Sequence, residues 1–266
     1  MSETAPPVSI PRTPRQSKAH NMVSIASGKG GVGKTWLTIT LAHALANAGQ
    51  RTLLFDGDLG LANLDIQLGL MPKNDLGQVI AGRLQLHQAI ETCDDTGFDV
   101  IAGRSGSGGL ANLASSRLTM VCDELTTLAA QYDRVLLDLG AGLERTVRQL
   151  AMASGTCVVV VTDEPTALTD AYAFIKVMHQ QIPDFDIRIV ANMVNSQKEG
   201  EKTYNTLRKA CEGFLKISPP LLGIVRRDSK VREAIRAQTS LMTRYPNTEA
   251  AEDVMAIAQT LIADDG

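Results

Sequence analysis

The residues best suited to chemistry form one run, Gly28-Lys29-Gly30-Gly31-Val32-Gly33-Lys34-Thr35. It fits G-x-x-x-x-G-K-[ST], a loop whose backbone N–H groups cradle phosphate oxygens. The glycines let those amides approach an anion with no Cβ in the way. A helix starting where the run ends turns its positive end to the same anion. Lys34 is placed to neutralise β- and γ-phosphates, and the Thr35 hydroxyl to ligate Mg²⁺. Asp56 and Asp58 follow the apolar residues Leu53-Leu54-Phe55, and Asp138 follows Val135-Leu136-Leu137. Ligands of an open parallel sheet gather at the carboxyl ends of its strands. Aspartates at those ends can hold metal-bound water and orient an attacking one. Gly140 and Gly142, just after Asp138, supply a pliable segment able to sense a terminal phosphate.

These groups need strands behind them and a helix in front. Residues 22–27 read as a strand, the glycine run as a loop, and 35–48 as a helix stopped by Gly49. Further strands are expected at 52–56, 99–102, 135–138, 157–162, 187–192 and 221–225. Their continuous, β-branched apolar character suits burial on both faces. Helical stretches between them predict right-handed βαβ crossovers, and so an α/β fold with a mainly parallel sheet flanked by helices.

The 266 residues are 44% hydrophobic with net charge −3, enough for one large core and with no overall charge signature of a nucleic-acid binder. One domain over 21–266 is expected, preceded by a flexible tail. Residues 1–20 hold Pro6, Pro7, Pro11 and Pro14 with Arg12, Arg15 and Lys18, a composition too polar to order itself. Cys93, Cys122, Cys157 and Cys211 are widely spaced and form no C-x-x-C, which predicts reduced thiols in a cytoplasmic protein. The run from Cys157 to Val161 is far too short to span a membrane.

A phosphate loop does not require lysine directly after its first glycine, yet Lys29 is there. The loop resembles the deviant Walker A sequence K-G-G-x-G-K-[ST] of the MinD/ParA family, and the resemblance covers about residues 22–250. It implies a P-loop fold of the SIMIBI, MinD-like kind, with ATP and Mg²⁺ sandwiched in a homodimer and Lys29 crossing to the partner's nucleotide. It further implies Asp58 as the residue that positions the hydrolytic water, Asp56 and Asp138 as metal-shell carboxylates acting through water, and catalytic roles for Lys29, Asp58 and Asp138. Asn192 matches the asparagine that reads the adenine edge; its amide both donates and accepts. The segment Gly223-Ile224-Val225-Arg226-Arg227-Asp228 is similar to the base-flanking G-x-I-P-x-D loop, with Arg226 in place of proline. Trp36, beside Thr35, is expected either to touch nucleotide or to pack.

Three segments are similar to the FlhG/FleN branch of flagellar-number regulators: residues 58–65 (DLGLANLD), 164–172 (EPTALTDAY) and 192–194 (NMV). That resemblance implies a slow ATPase switch recruited from the cytoplasm to the cell pole or the inner face of the membrane. Its partner would be a flagellar SRP-type GTPase, FlhF-like, or other flagellar regulatory or basal-body proteins. Two features depart from the branch. Residues 247–266 carry no Lys or Arg, and Val254, Ile257, Leu261 and Ile262 share a stripe beside Glu249, Glu252, Asp253, Asp264 and Asp265. A helix packed on the core is expected there, rather than one lying on anionic lipid. Residues 1–20 also lack the branch's D-Q-A-x-x-L-R-type motif. A rival reading is a ParA-type DNA-segregation ATPase using Arg226, Arg227, Lys230, Arg232 and Arg236; no aromatic residues interleave with that cluster, so a solvated helix face accounts for it better.

Overall fold

A computed structural model describes residues 19–103 and 113–264. Eight strands form one sheet: β1 (Ala19–Ser27), β2 (Thr52–Gly57), β3 (Glu91–Cys93), β4 (Phe98–Ile101), β5 (Arg134–Ala141), β6 (Ser154–Val161), β7 (Asp186–Val194) and β8 (Leu221–Arg226). Their order is β3-β4-β2-β5-β1-β6-β7-β8, all neighbours parallel except β3 with β4. The helices are α1 (Lys34–Asn47), α2 (Leu64–Leu68), α3 (Leu76–Ile80), α4 (Ser115–Ala129), α5 (Arg145–Ala153), α6 (Pro165–Gln181), α7 (Gln197–Ala210), α8 (Ser229–Arg236), α9 (Leu241–Arg244) and α10 (Glu249–Ala263). The α/β architecture with a mainly parallel sheet is therefore as expected.

The central strands are apolar because both their faces are covered. Leu53, Leu54 and Phe55 of β2 and Val135, Leu136 and Leu137 of β5 are fully buried. Helix α1 is buried from Trp36 through Leu45, lying between the sheet and α10. A helix so enclosed keeps no polar face, and its buried Thr38, Thr40 and His43 are hydrogen-bonded within the fold. The stripe expected near the C-terminus is a core face: Val254, Ile257 and Leu261 of α10 are buried.

The tail boundary shifts. Ala19 and His20 belong to β1, where the backbone of Ala19 pairs with Ser154 of β6; the rest of the expected tail lies outside the described residues. β3 was not expected, since Glu91-Thr92-Cys93, with only Cys93 buried, leaves no apolar run to read at the sheet edge.

Candidate nucleotide site

β1 lies in the middle of the sheet, with β5 on one side and β6 on the other, and the chain leaves it for β2, beyond β5. This reversal opens a crevice at the carboxyl end of β1. Register brings the acidic residues to it: Asp56 stands directly opposite Asp138, and Ile25 of β1 is also paired with Asp138. Two strand ends some 80 residues apart in sequence thus meet beside the glycine loop.

The loop is shaped by close approaches. A Cβ on Gly28 would fall inside the Asp170 backbone of α6. Gly33 has φ +81°, and its Cβ would sit 2.6 Å from Asn192 Nδ2. Gly33 is also the N-cap of α1, which has no side-chain cap and no acidic residue in its first turn. Those first N–H groups point into the crevice free to meet an anion. Thr35 is half-buried one residue into the helix.

The charges are layered. Lys34 Nζ lies 3.1 Å from Asp138 Oδ1, both side chains nearly inaccessible, and Thr38 Oγ1 donates to the same oxygen at 3.1 Å. Asp56 accepts from the N–H groups of Asp58 (3.2 Å) and Gly103 (3.3 Å). Burial first, and then the charge of Asp138, push the Asp56 carboxyl up to about 7. Between its ordinary value and about 7 the folded chain retains a proton that the unfolded chain has lost, so this group's contribution to stability falls as pH rises through that window. A divalent cation near the pair reverses that preference. Among the described residues no three His, Cys, Asp or Glu side chains converge on one point. The donor set of Thr35 with two carboxylates suits Mg²⁺, which keeps much of its shell as water and phosphate oxygen.

Two cavities share the wall formed by Gly33, Trp36 and Ile235. One, of about 630 Å³, is bordered by Lys34, Thr35, Asp58 and Gly140. The other, of about 390 Å³, is bordered by Asn192, Met193, Arg226 and Asp228. Asn192 Nδ2 donates to Val32 O at 2.8 Å, while its buried Oδ1 has no partner among the described residues. Trp36 is buried, and its Nε1 has none either.

Not every expected side chain reaches the crevice. Lys29 Nζ is held at the start of α6, 2.7 Å from Glu164 Oε2 and 2.9 Å from Thr166 Oγ1. Its ammonium holds the exposed Glu164 carboxyl below the usual carboxylate range. Arg226 borders the smaller cavity, but its guanidinium turns away to Asp253 and Glu249 of α10. Asp228 caps α8, accepting from Lys230 N at 2.8 Å. The partners Glu164, Thr166 and Asp253 carried no sequence signal for these contacts, because each pair is joined only by folding.

A profile of the CobQ/CobB/MinD/ParA nucleotide-binding domain matches residues 23–241. The chain belongs to this family. It is 34% identical to the antiactivator FleN of Pseudomonas aeruginosa, covering 90% of this chain and 85% of that protein. It is 32% identical to the flagellum site-determining protein YlxH of Helicobacter pylori, covering 91% and 81%. Its fold matches the septum site-determining protein MinD of Pyrococcus horikoshii complexed with Mg-ADP, with TM-score 0.79, 25% identity and coverage of 93% and 98%. The MinD/ParA resemblance read from the glycine loop is borne out. No helix among the described residues is long and apolar enough to cross a membrane.

Proposed function

We propose that this chain is an ATP-driven switch: two copies close over ATP–Mg²⁺, and slow hydrolysis lets them part. The observation carrying this reading is the division of labour between two lysines of one loop. Lys34 is buried against Asp138 at the foot of α1, where β- and γ-phosphates would lie, while Lys29 stands at the α6 side of the rim with its side chain 38% exposed. A lysine so placed reaches outward more readily than inward, which suits contact with a second copy. Mg²⁺ supplies charge neutralisation for the phosphates; Thr35 would hold it directly, and Asp56 and Asp138 through water. Asn192 has the unsatisfied acceptor for an adenine amino group, and Asp58 lies at the phosphate end of the larger cavity. γ-Phosphate contacts provide the differential affinity that any ligand-driven switch requires.

The likeness to FleN and YlxH over nine-tenths of the chain supports flagellar number or placement as the process regulated. A flagellar SRP-type GTPase of the FlhF kind, or another flagellar regulatory or basal-body protein, is the partner this reading implies. The MinD fold likeness supports a second reading, positioning of the division site. DNA segregation is disfavoured by the basic cluster itself: Arg226 is tied to α10, Lys230 pairs with Glu233 at 2.9 Å, and Arg227 donates to Met193 O. Helix α10 buries its apolar stripe, which leaves little to insert in a membrane.

With a non-hydrolysable ATP analogue and Mg²⁺, the parent chain is expected to double its mass in solution. Lys29→Ala is expected to bind the analogue with parental affinity yet remain single. A parent that stays single at saturating analogue overturns the switch. Capture from cells with an ATP-locked form separates the two processes, flagellar proteins supporting the first reading and division proteins the second.

Trp36 gives a direct probe, being the chain's one tryptophan. Its indole separates the two cavities and its N–H is unsatisfied, so titration with ATP–Mg²⁺ is expected to change its emission saturably. Emission that stays constant while calorimetry shows saturation would remove Trp36 from the site.

A further inference from the structure

The exposed acidic edge of α10 and the arginine at the end of β8 account for one another. Arg226 makes a dense set of contacts onto that helix. Its backbone N–H and Nε donate to Asp253 Oδ2 at 2.8 and 2.9 Å. One terminal nitrogen donates to Asp253 Oδ1 at 2.8 Å, and the other to Glu249 Oε1 at 2.6 Å. Asp253 is only 7% exposed and is steadied on α7 by Gln197 Nε2 at 3.1 Å. A planar guanidinium on a buried carboxylate is the strongest and most directional of the common ion pairs.

This fork stands where the smaller cavity needs a wall. The chain beyond Arg226 turns at once into α8. Arg227 N donates to Val194 O at 2.7 Å, and Arg227 Nε to Met193 O at 3.2 Å. Met193 itself is held at φ +59°, next to Asn192. The end of β7 and the β8–α8 turn are therefore tied to each other across the cavity. Arg226 adds a polar tie from the pair to α10, beyond the packing of Ile257 against Gly223 of β8. Helix α10 packs in turn on α1, whose first residue is Lys34.

We propose that Arg226 is a positioning residue for nucleotide binding: its fork onto Asp253 and Glu249 holds the β8–α8 turn as the wall of the base cavity and links that wall to α10. The proposal rests on the nucleotide reading above and assigns the base, rather than the phosphates, as the part of the ligand that the fork serves. The acidic residues of α10 thereby have a task inside the protein, holding Arg226 clear of the base. Loss of the fork frees the turn and weakens base contacts, leaving the phosphate loop as it was.

The test compares Arg226→Ala, Asp253→Ala and the double variant by calorimetry against two ligands, ATP–Mg²⁺ and inorganic tripolyphosphate–Mg²⁺. The double variant leaves no buried unpaired carboxylate at 253, so it remains informative if a single variant folds poorly. ATP affinity is expected to fall about tenfold in all three, with the double no worse than either single, because the two residues act as one unit. Tripolyphosphate affinity is expected to stay within about twofold, which a general loosening of the fold would not allow. ATP binding that is unchanged in the double variant, or equal losses for both ligands, overturns the assignment. A parent chain that binds tripolyphosphate as tightly as ATP overturns the base cavity itself, and the fork's role with it; a parent that prefers ATP, with that preference undiminished in the variants, overturns the fork alone.

Discussion

Lys34→Ala is expected to lower ATP affinity by ~100-fold or more, equivalent to ~3 kcal/mol. The ammonium emerges from the first turn of α1, beside backbone N–H groups that no side chain caps. It is desolvated, with 9% side-chain exposure, so its attraction for phosphate is poorly screened. The same substitution has a structural cost of opposite interest. It leaves Asp138 next to Asp56 with the Thr38 hydroxyl as its remaining bond partner in the pair's neighbourhood. Two buried carboxylates without their cation repel, and the melting temperature is expected to drop. Lys34→Ala/Asp138→Asn separates the effects: it removes the uncompensated charge and is expected to recover stability without recovering affinity. Calorimetric ATP titration alongside thermal unfolding reads both. Binding within about threefold of the parent by Lys34→Ala would show that the phosphates do not lie on this loop.

The strands were legible because parallel strands buried on both faces must be continuously apolar, and 135–138 or 157–162 have no competing periodicity. The glycine loop was legible because its amides need particular residue types at fixed spacing. Strand order was not, since nothing in the residues of β5 says it lies between β1 and β2. Arg226 shows a subtler failure. Sequence position put it beside the base, and its backbone is there, yet its charge is spent on Asp253 and Glu249, 27 and 23 residues later. In the sequence those carboxylates stand beside the apolar stripe of the last helix, and a stripe pattern tells which face is buried, not which polar residue finds a partner across the fold. Lys29 is similar: its unusual place in the loop was visible, and its attachment to Glu164 and Thr166 was not. Contacts made by folding at long separation leave a composition, and no pattern.

These two attachments bear on how the switch is poised. The buried charges, Lys34 with Asp138 and Asp56, form the fixed floor of the crevice. The exposed one, Lys29 with Glu164, is screened by water and weak. A second copy competing for the Lys29 ammonium therefore meets little resistance, while the floor that grips phosphate stays in place.

Asp58→Ala is expected to leave ATP binding near parental and to lower turnover by ~10²-fold or more, within the range lost when a group that positions or activates a water is removed. The geometry separates Asp58 from the charges that hold phosphate. It is half-buried at the cavity rim, outside the Lys34–Asp138 pair, and the larger cavity is bordered by it and by Gly140 near the end of β5. Its Oδ1 accepts from Leu61 N at 3.0 Å, which orients the carboxylate, and its backbone N–H donates to Asp56 Oδ1, which fixes the main chain beneath it. A carboxylate fixed in that manner at the phosphate end can align a water without contributing to ground-state grip, the behaviour of an interaction realised in the transition state. With hydrolysis stopped and binding kept, the paired form has no exit, and the variant is expected to remain a dimer in ATP–Mg²⁺ long after the parent has returned to single chains. Asp58→Asn tests whether charge or shape matters: it preserves both hydrogen bonds, so a loss as deep as that of alanine assigns the effect to the carboxylate. Phosphate release and solution mass, followed together on one sample, give the answer. Parental turnover in Asp58→Ala would move the water-positioning role elsewhere on the rim.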